Sequence, residues 1–300
     1  MKRLLLEEKS VEEKAKKHPC YSYDAHHKYA RLHLPVAPQC NISCNYCSRK
    51  FDCVNESRPG VTSEILMPGK ALDRFKMVRD QLPNLSVVGI AGPGDALANW
   101  DKTKRTLELI REEDKEVTFC LSTNGLLLPE LAEEIVRLEV HHVTVTVNCI
   151  HPAIGASIYK SIHYGGQLYS GIEGARILIR NQIEGIKKLA EKGVLVKVNT
   201  VMIQGVNDHH IPDVVKKVKE LGAFTSNIMP LIPVQGSVFE DLPPTSAKRI
   251  AEMRKECGEH LQQMMHCKQC RADAIGMLGN DCSDQFIKGR KKCSCRQEAG

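Results

Sequence analysis

The sequence predicts an α/β protein whose parallel sheet curls into a barrel, complete or partial, around a polar interior. Three observations predict this. Six strand-like runs alternate with helical patterns from residue 31 to residue 240. Strand–helix units in series imply parallel strands joined by right-handed crossovers. Two of the runs carry a polar face: Thr118, Cys120, Ser122 and Asn124 in one, His142, Thr144, Thr146 and Asn148 in the other. An open doubly wound sheet is buried on both faces and favours apolar runs on both. A polar face therefore favours a barrel that holds a large ligand.

The elements follow in order. Residues 1–28 form an arm, with a charged stretch over 2–17 that pairs Glu12 with Lys16 and Glu13 with Lys17 at helical spacing. The strands are expected over Leu32–Ala37, Ser86–Ala91, Val117–Ser122, His142–Asn148, Val194–Met202 and Phe224–Ile232, all rich in Val, Ile and Thr. Helices are expected over Gly69–Leu82, Lys102–Glu113, Glu130–Leu138, Ala175–Lys192 and Ile211–Leu221. In the fourth of these, Ile179, Ile183 and Ile186 share a face that Leu189 and Ala190 extend, and Gly193 suits its C-terminal cap. Pro243-Pro244 closes the barrel region, 29–240. Region 241–300 holds one helix over Thr245–Gln263, capped by Thr245 or Ser246, and a cysteine-rich tail.

Composition narrows the function. The 300 residues are 42% hydrophobic and 26% charged, a globular balance that excludes a disordered or fibrous chain. The apolar runs fall well short of the ~20 residues that cross a bilayer. The opening MKRLLLEEKS lacks the apolar core of an export signal, so a cytoplasmic protein is expected. Much of the +6 net charge sits at Lys288, Arg290, Lys291, Lys292 and Arg296, so neither nucleic acid nor membrane is indicated as a partner. Thirteen cysteines, an odd number clustered in sequence, favour metal ligation over a disulfide framework.

The strongest cluster is Cys40-Asn41-Ile42-Ser43-Cys44-Asn45-Tyr46-Cys47, expected as a turn-rich loop after the first strand. Structural zinc takes four ligands in a closed site. Three thiolates on a four-iron cluster leave one iron open. This C-x3-C-x2-C spacing, with Tyr46 before the last cysteine, resembles the signature of the radical S-adenosylmethionine (SAM) superfamily. The resemblance implies a partial (β/α)6 TIM-like barrel, SAM chelated at the open iron, and one-electron cleavage of SAM to a 5′-deoxyadenosyl radical. Ala91-Gly92-Pro93-Gly94-Asp95 occupies the place of the family's glycine-rich loop, although the common Gly-Gly-Glu form is absent. Ser122-Thr123-Asn124-Gly125 is also a frequent family pattern.

Further candidates lie outside that motif. Cys120 shares its strand face with Ser122 and Asn124, and Cys267 and Cys270 form a C-x2-C clamp in the tail. Cys20 and Cys53 flank the first strand and its motif, and Cys282, Cys293 and Cys295 follow the clamp. Cys149 and Cys257 read as buried apolar residues. His33, with Arg31, lies on the strand face opposite Leu32, Leu34 and Val36, where an imidazole would be a labile iron ligand.

Longer strings narrow the resemblance. They are His18-Pro19-Cys20-Tyr21-Ser22, the run from Tyr29 through Cys47, Asp52-Cys53-Val54-Asn55-Glu56-Ser57-Arg58-Pro59-Gly60-Val61, and Cys270-Arg271-Ala272-Asp273-Ala274 with Leu278-Gly279. Over residues 18–282 the chain is similar to the NifB family of nitrogenase cofactor maturases. A core form without the family's NifX-like domain is expected. The resemblance implies two further [4Fe-4S] clusters, K1 and K2, as substrates. They would fuse with a SAM-derived carbide and an added sulfur into an eight-iron product. Cys40, Cys44 and Cys47 would hold the SAM cluster; His33, Cys53 and Cys120 would hold K1; Cys267 and Cys270 would hold K2, with Cys20 the extra ligand. SAM would lie against Tyr46, Gly92, Gly94, Asp95, Ser122, Asn124, Thr146, Asn148, Val198 and Met229. Glu56 and Arg58 would tune a ligand or handle protons, or form a structural ion pair. The arm would supply a ligand and the tail would cover the barrel mouth. Implied partners are cluster and electron donor proteins and a downstream NifEN-type scaffold or carrier.

Two alternatives stand beside this reading. Another auxiliary-cluster radical SAM maturase would act on a peptide or small molecule, with Cys267 and Cys270 feeding electrons. A non-catalytic iron–sulfur carrier or zinc protein would need no SAM pocket, and the glycine-rich loop argues against it.

Overall fold

The computed structural model describes residues 13, 15–53 and 62–287. In chain order its strands are β1 (Ala30–His33), β2 (Ile42–Cys44), β3 (Leu85–Ile90), β4 (Thr118–Thr123), β5 (Val140–Thr146), β6 (Tyr159–Tyr164), β7 (Gln167–Tyr169), β8 (Leu195–Met202), β9 (Thr225–Pro230), β10 (Ile275–Met277) and β11 (Asn280–Asp281). The helices are α1 (Tyr23–His26), α2 (Pro68–Gln81), α3 (Trp100–Glu113), α4 (Leu128–Arg137), α5 (Pro152–Ile158), α6 (Gly171–Glu191), α7 (Ile211–Glu220), α8 (Ala247–Gly258) and α9 (Ser283–Phe286).

Six strands run parallel in the order β1-β3-β4-β5-β8-β9. The β10–β11 hairpin adds antiparallel to the free side of β1, and β9 does not pair back to it. The expected α/β architecture is therefore present as a partial barrel of six parallel strands. On the free side of β9, Met264 N–H donates to Ser226 O at 2.7 Å and Ser226 N–H to Gln262 O at 2.9 Å, so the chain after α8 covers that edge.

Alternation along the strands builds two environments. Leu32, Val88, Phe119, Leu121, Val143, Val145, Val196 and Val198 face outward into one core with the helices. Each such side chain contributes about 1.5–3 kcal/mol by leaving water. Their strand neighbours Arg31, His33, Gly89, Cys120, Ser122, Thr144, Lys197 and Asn199 face the interior.

Local differences from expectation have local causes. β1 is Ala30–His33 rather than Leu32–Ala37; pairing continues to Leu34, whose N–H donates to Gly89 O, is interrupted at Pro35, which has no N–H to give, and resumes only as an isolated bridge between Ala37 and Pro93. The last long helix begins at Ala247, because Ser246 caps Arg249 N–H at 3.2 Å while the Thr245 hydroxyl is bonded to Met202 O. The cysteine loop is not all turn. Ile42–Cys44 forms β2, which pairs with β6, and Gly165 and Gly166 turn β6 into β7 with φ of 57° and 75°.

The arm packs against the barrel. Tyr21 donates to Val143 O and Leu195 O, and its ring and that of His18 rest on His142 at centroid distances of 4.6 and 4.5 Å. Among the described residues no helix is long and apolar enough to cross a membrane.

Candidate metal and cofactor site

The three-cysteine motif folds around a pocket of about 300 Å³ lined by Cys40, Cys44, Cys47, Cys53, Gly94, Asp95 and Asn124. Tyr46, fully buried, anchors the loop beneath it, and Cys47 N–H donates to Cys44 O at 3.1 Å. The glycine loop after β3 lies against the chain entering the motif. Gly94 N–H donates to Ala37 O, and a Cβ at Gly94 would sit 2.2 Å from Gln39 O, a distance only glycine avoids.

Asp95 ties these segments together. Its carboxylate accepts from Leu97 N–H, Ala98 N–H, the Thr123 hydroxyl and Asn124 N–H at 2.6–3.0 Å. Burial pushes its pKa up, and those hydrogen bonds pull the other way. With its oxygens so engaged, Asp95 shapes the pocket and is not a free metal ligand. Asn124 Nδ2 donates to Asn41 Oδ1 at 2.7 Å and reaches Cys40 Sγ at 3.8 Å. Burial, then Asp95, pushes the Cys40 thiol up to about 12, and burial also raises Cys47. Among the described residues no three His, Cys, Asp or Glu side chains come together around a single ion. Thiols spread around one pocket, rather than converging on one point, suit a multi-iron cluster, whose irons divide the ligands between them.

A second, larger space of about 700 Å³ fills the barrel interior. Six thiol or imidazole side chains line it: His18 and Cys20 from the arm, His33 from β1, Cys120 from β4, and Cys267 and Cys270 from the tail. The His33 ring is held by Nδ1 on Arg271 O at 2.9 Å, and glycine at position 89 makes room for it, since a Cβ there would be 3.0 Å away. Burial, then Arg31, lowers the His33 pKa to about 4, leaving a neutral imidazole with a lone pair at neutral pH. Arg31 Nη2 donates to Cys270 Sγ at 3.4 Å, and Asn227 Nδ2 to Cys267 Sγ at 3.3 Å. Burial pushes Cys20 up to about 11, against the pull of Lys197.

The structure does not bring every sequence-derived candidate to these spaces. Cys53 lines the motif pocket, whereas His33 and Cys120 line the barrel interior, and its N–H is bonded to Pro93 O at 2.9 Å. Ser122 and Met229 line the barrel interior; Thr146 shares the inward face of β5 with Thr144, and Gly92, at φ 129°, faces Ala272 of the tail. Asn148 is fully buried, with Nδ2 bonded to Tyr46 and Oδ1 accepting from Val201 N–H. The Val198 side chain lies in the outer core, since the inward positions of β8 are Lys197 and Asn199. Cys149 and Cys257 are buried among apolar side chains, and Cys282 Sγ lies 3.4 Å from Ile275 O. Glu56, Arg58, Cys293 and Cys295 lie outside the described residues. Lys197 and Asn227 are interior residues that the sequence reading missed. The alternation that exposes the polar face of β4 also puts Lys197, between Val196 and Val198, on one face with Asn199.

A parallel partial barrel with three cysteines on the loop after its first strand is the arrangement of the radical SAM superfamily. Residues 34–218 match that superfamily, and the chain belongs to it. Within it, the chain is 53% identical over 282 residues to the FeMo cofactor biosynthesis protein NifB of Klebsiella pneumoniae, covering 93% of this chain and 60% of that protein. It is 47% identical over 281 residues to the protein of the same name from Azotobacter vinelandii, covering 92% and 56%. The chain thus spans little more than half the length of these relatives. Two solved structures share the fold. Streptococcus suis SuiB bound to S-adenosylmethionine aligns with a TM-score of 0.54 at 12% identity, covering 78% of this chain and 49% of SuiB. Methylornithine synthase (PylB) aligns at 0.51 and 10%, covering 95% and 82%.

Proposed function

We propose that the chain is a radical SAM maturase that fuses two four-iron clusters, with one SAM-derived carbon and one added sulfur, into the eight-iron, nine-sulfur carbide precursor of nitrogenase cofactor. The observation that carries this reading is the coexistence of two donor sets: a three-cysteine pocket, and a chamber into which separate segments each deliver one or two donors. A maturase whose auxiliary clusters only feed electrons would account for Cys267 and Cys270, but gives no role to donors delivered singly by the arm, β1 and β4. The similarity to proteins named for FeMo cofactor biosynthesis supports the same reading.

In this reading Cys40, Cys44 and Cys47 hold the resident [4Fe-4S] cluster, with SAM beside Gly94, Asn124 and Ser122. Bound there, cluster and SAM supply an electron, a methyl group and a 5′-deoxyadenosyl radical. The chain's own residues do the rest. Asp95 locks the glycine loop to the ends of β3 and β4. His33 and Cys120, with Cys53 approaching from the motif side, tether one substrate cluster. Cys267 and Cys270, with Cys20, tether the other. Few ligands per cluster and a neutral imidazole make tethers that can be released. The barrel wall, the arm and the tail exclude water from a reactive carbon. Glu56 and Arg58 remain candidates for proton handling. A cytoplasmic setting, cluster and electron donor proteins and a NifEN-type acceptor complete the proposal.

The test is anaerobic reconstitution followed by SAM carrying a carbon-labelled methyl group. About three four-iron clusters per chain, SAM cleavage under dithionite and label in the acid-extracted metal product are expected. Label recovered only in methylated small molecules, or a zinc-loaded chain that does not cleave SAM, would overturn the reading.

A further inference from the structure

Lys197 points inward from the middle of the chamber wall, on the strand position two before Asn199. It is 7% exposed, and its ammonium stands 5.6 Å from the centre of the Tyr21 ring. Among the described residues it forms no ion pair with a carboxylate. Arg31, also in the chamber wall, differs. Arg31 is paired with Asp281 at 3.4 Å and bonded to the carbonyls of Gly276 and Met277. Around Lys197 stand four thiols instead, Cys20, Cys120, Cys267 and Cys270, delivered by the arm, a strand and the tail. Desolvating a buried ammonium is costly, and no carboxylate among the described residues pairs with Lys197 to repay it. A sulfide-rich anion at the centre of those thiols would.

We infer that Lys197 is the counter-cation of the chamber, holding anionic iron–sulfur cargo by charge and N–H···S contacts rather than by coordination. The inference rests on the reading of the chamber as a cluster site. Its physical logic concerns the moment of fusion. Joining two clusters requires iron to exchange protein ligands, and a cluster held by two or three tethers is close to escape once one lets go. An ammonium has three donors and no fixed fork, so it follows sulfides as they move. It makes no bond to iron, so nothing at Lys197 must break for cargo to fuse or leave. Lys197 is thus a positioning and retention residue.

The full-length chain is tested as wild type, Lys197→Met, Lys197→Gln and Lys197→Arg. Each is reconstituted anaerobically with iron and sulfide, desalted, and followed for iron loss. Electron paramagnetic resonance separates the signal that responds to SAM, carried by the Cys40, Cys44 and Cys47 site, from the iron that does not. The uncharged variants are expected to lose the SAM-unresponsive iron about tenfold faster than wild type, with Lys197→Arg close to wild type. Before loading, Lys197→Met should melt at or above the wild-type temperature, because a solitary buried charge has been removed. A purely structural lysine would give the opposite sign, a lower melting temperature with unchanged iron retention, and that outcome overturns the inference. Equal iron loss from all four proteins overturns it as well. If wild type itself retains only SAM-responsive iron, the cluster-chamber reading fails first, which is a separate and recognisable result.

Discussion

The side-chain amide of Asn148 donates a 2.7 Å hydrogen bond to the phenolic oxygen of Tyr46, with both residues fully buried. Asn148 in turn accepts from Val201 N–H at 2.9 Å, so one side chain joins the cysteine motif to the ends of β5 and β8. The aromatic residue before the last cysteine is thereby an anchor of the loop. Tyr46→Phe removes that acceptor from a buried amide. We expect a loss of about 1–3 kcal/mol in chemical denaturation. In a double-mutant cycle with Asn148→Ala, the two losses should sum to more than the double variant shows. Additive losses would mean that the bond does not couple the two elements.

The contact between Gly94 and Gln39 makes a steric prediction. An added methyl would lie 2.2 Å from a backbone carbonyl oxygen, which cannot rotate aside. Gly94→Ala should therefore cost about 3 kcal/mol or more. It should also separate the glycine loop from the motif, lowering iron uptake by the three-cysteine site. The check is thermal melting of the apo chain alongside iron content. Wild-type stability in Gly94→Ala would show that the two loops part freely.

Iron counts sort the cysteines. Alanine at Cys40, Cys44 or Cys47 should abolish the SAM-responsive signal. Alanine at Cys20, Cys120, Cys267 or Cys270 should spare that signal and remove chamber iron. Cys53 is the informative case, because it lines the motif pocket as a fourth thiol. Cys53→Ala should keep the SAM-responsive cluster and lose chamber iron; loss of the SAM response would instead make Cys53 a ligand of the first site. Cys149→Ala and Cys257→Ala should leave all iron in place and lower stability by about 1–2 kcal/mol, as for other small apolar deletions in a core.

Period-two reasoning read the barrel well, because a strand with one face in a polar interior must alternate. Cys120 with Ser122, and His33 opposite Leu32 and Leu34, were placed on the interior face by that rule alone. The same alternation puts Lys197 on the interior face, where a strand of β-branched neighbours masks it. The small sheet of β2, β6 and β7 escaped because strands of three to six residues carry too little periodicity, although Gly165-Gly166 marked their turn. The position of Cys53 depends on how a loop folds back onto Pro93, a long-range contact that no local pattern encodes. Asn148 is polar and on the expected strand, yet its hydrogen bonds are spent within the protein, a fact visible only when its partners Tyr46 and Val201 are in place.

The His33 imidazole makes the unloaded chain acid-sensitive. Burial, then the neighbouring Arg31, lowers its pKa to about 4, whereas in the unfolded chain it titrates near 6.5. Between these values the unfolded state binds a proton that the folded state does not, so stability rises with pH across the window. The contribution is full above the unfolded pKa and is lost as pH falls through about 4. His18 is shifted in the same direction, by burial and then His142, and adds to the slope. Denaturation of the apo chain at a series of pH values should therefore show stability falling steadily below about pH 6.5. His33→Gln should flatten part of that slope while leaving the remainder due to His18. A slope unchanged by His33→Gln would place the imidazole in water. Above the window the ring is neutral in both states, so iron meets a free nitrogen lone pair there without displacing a proton.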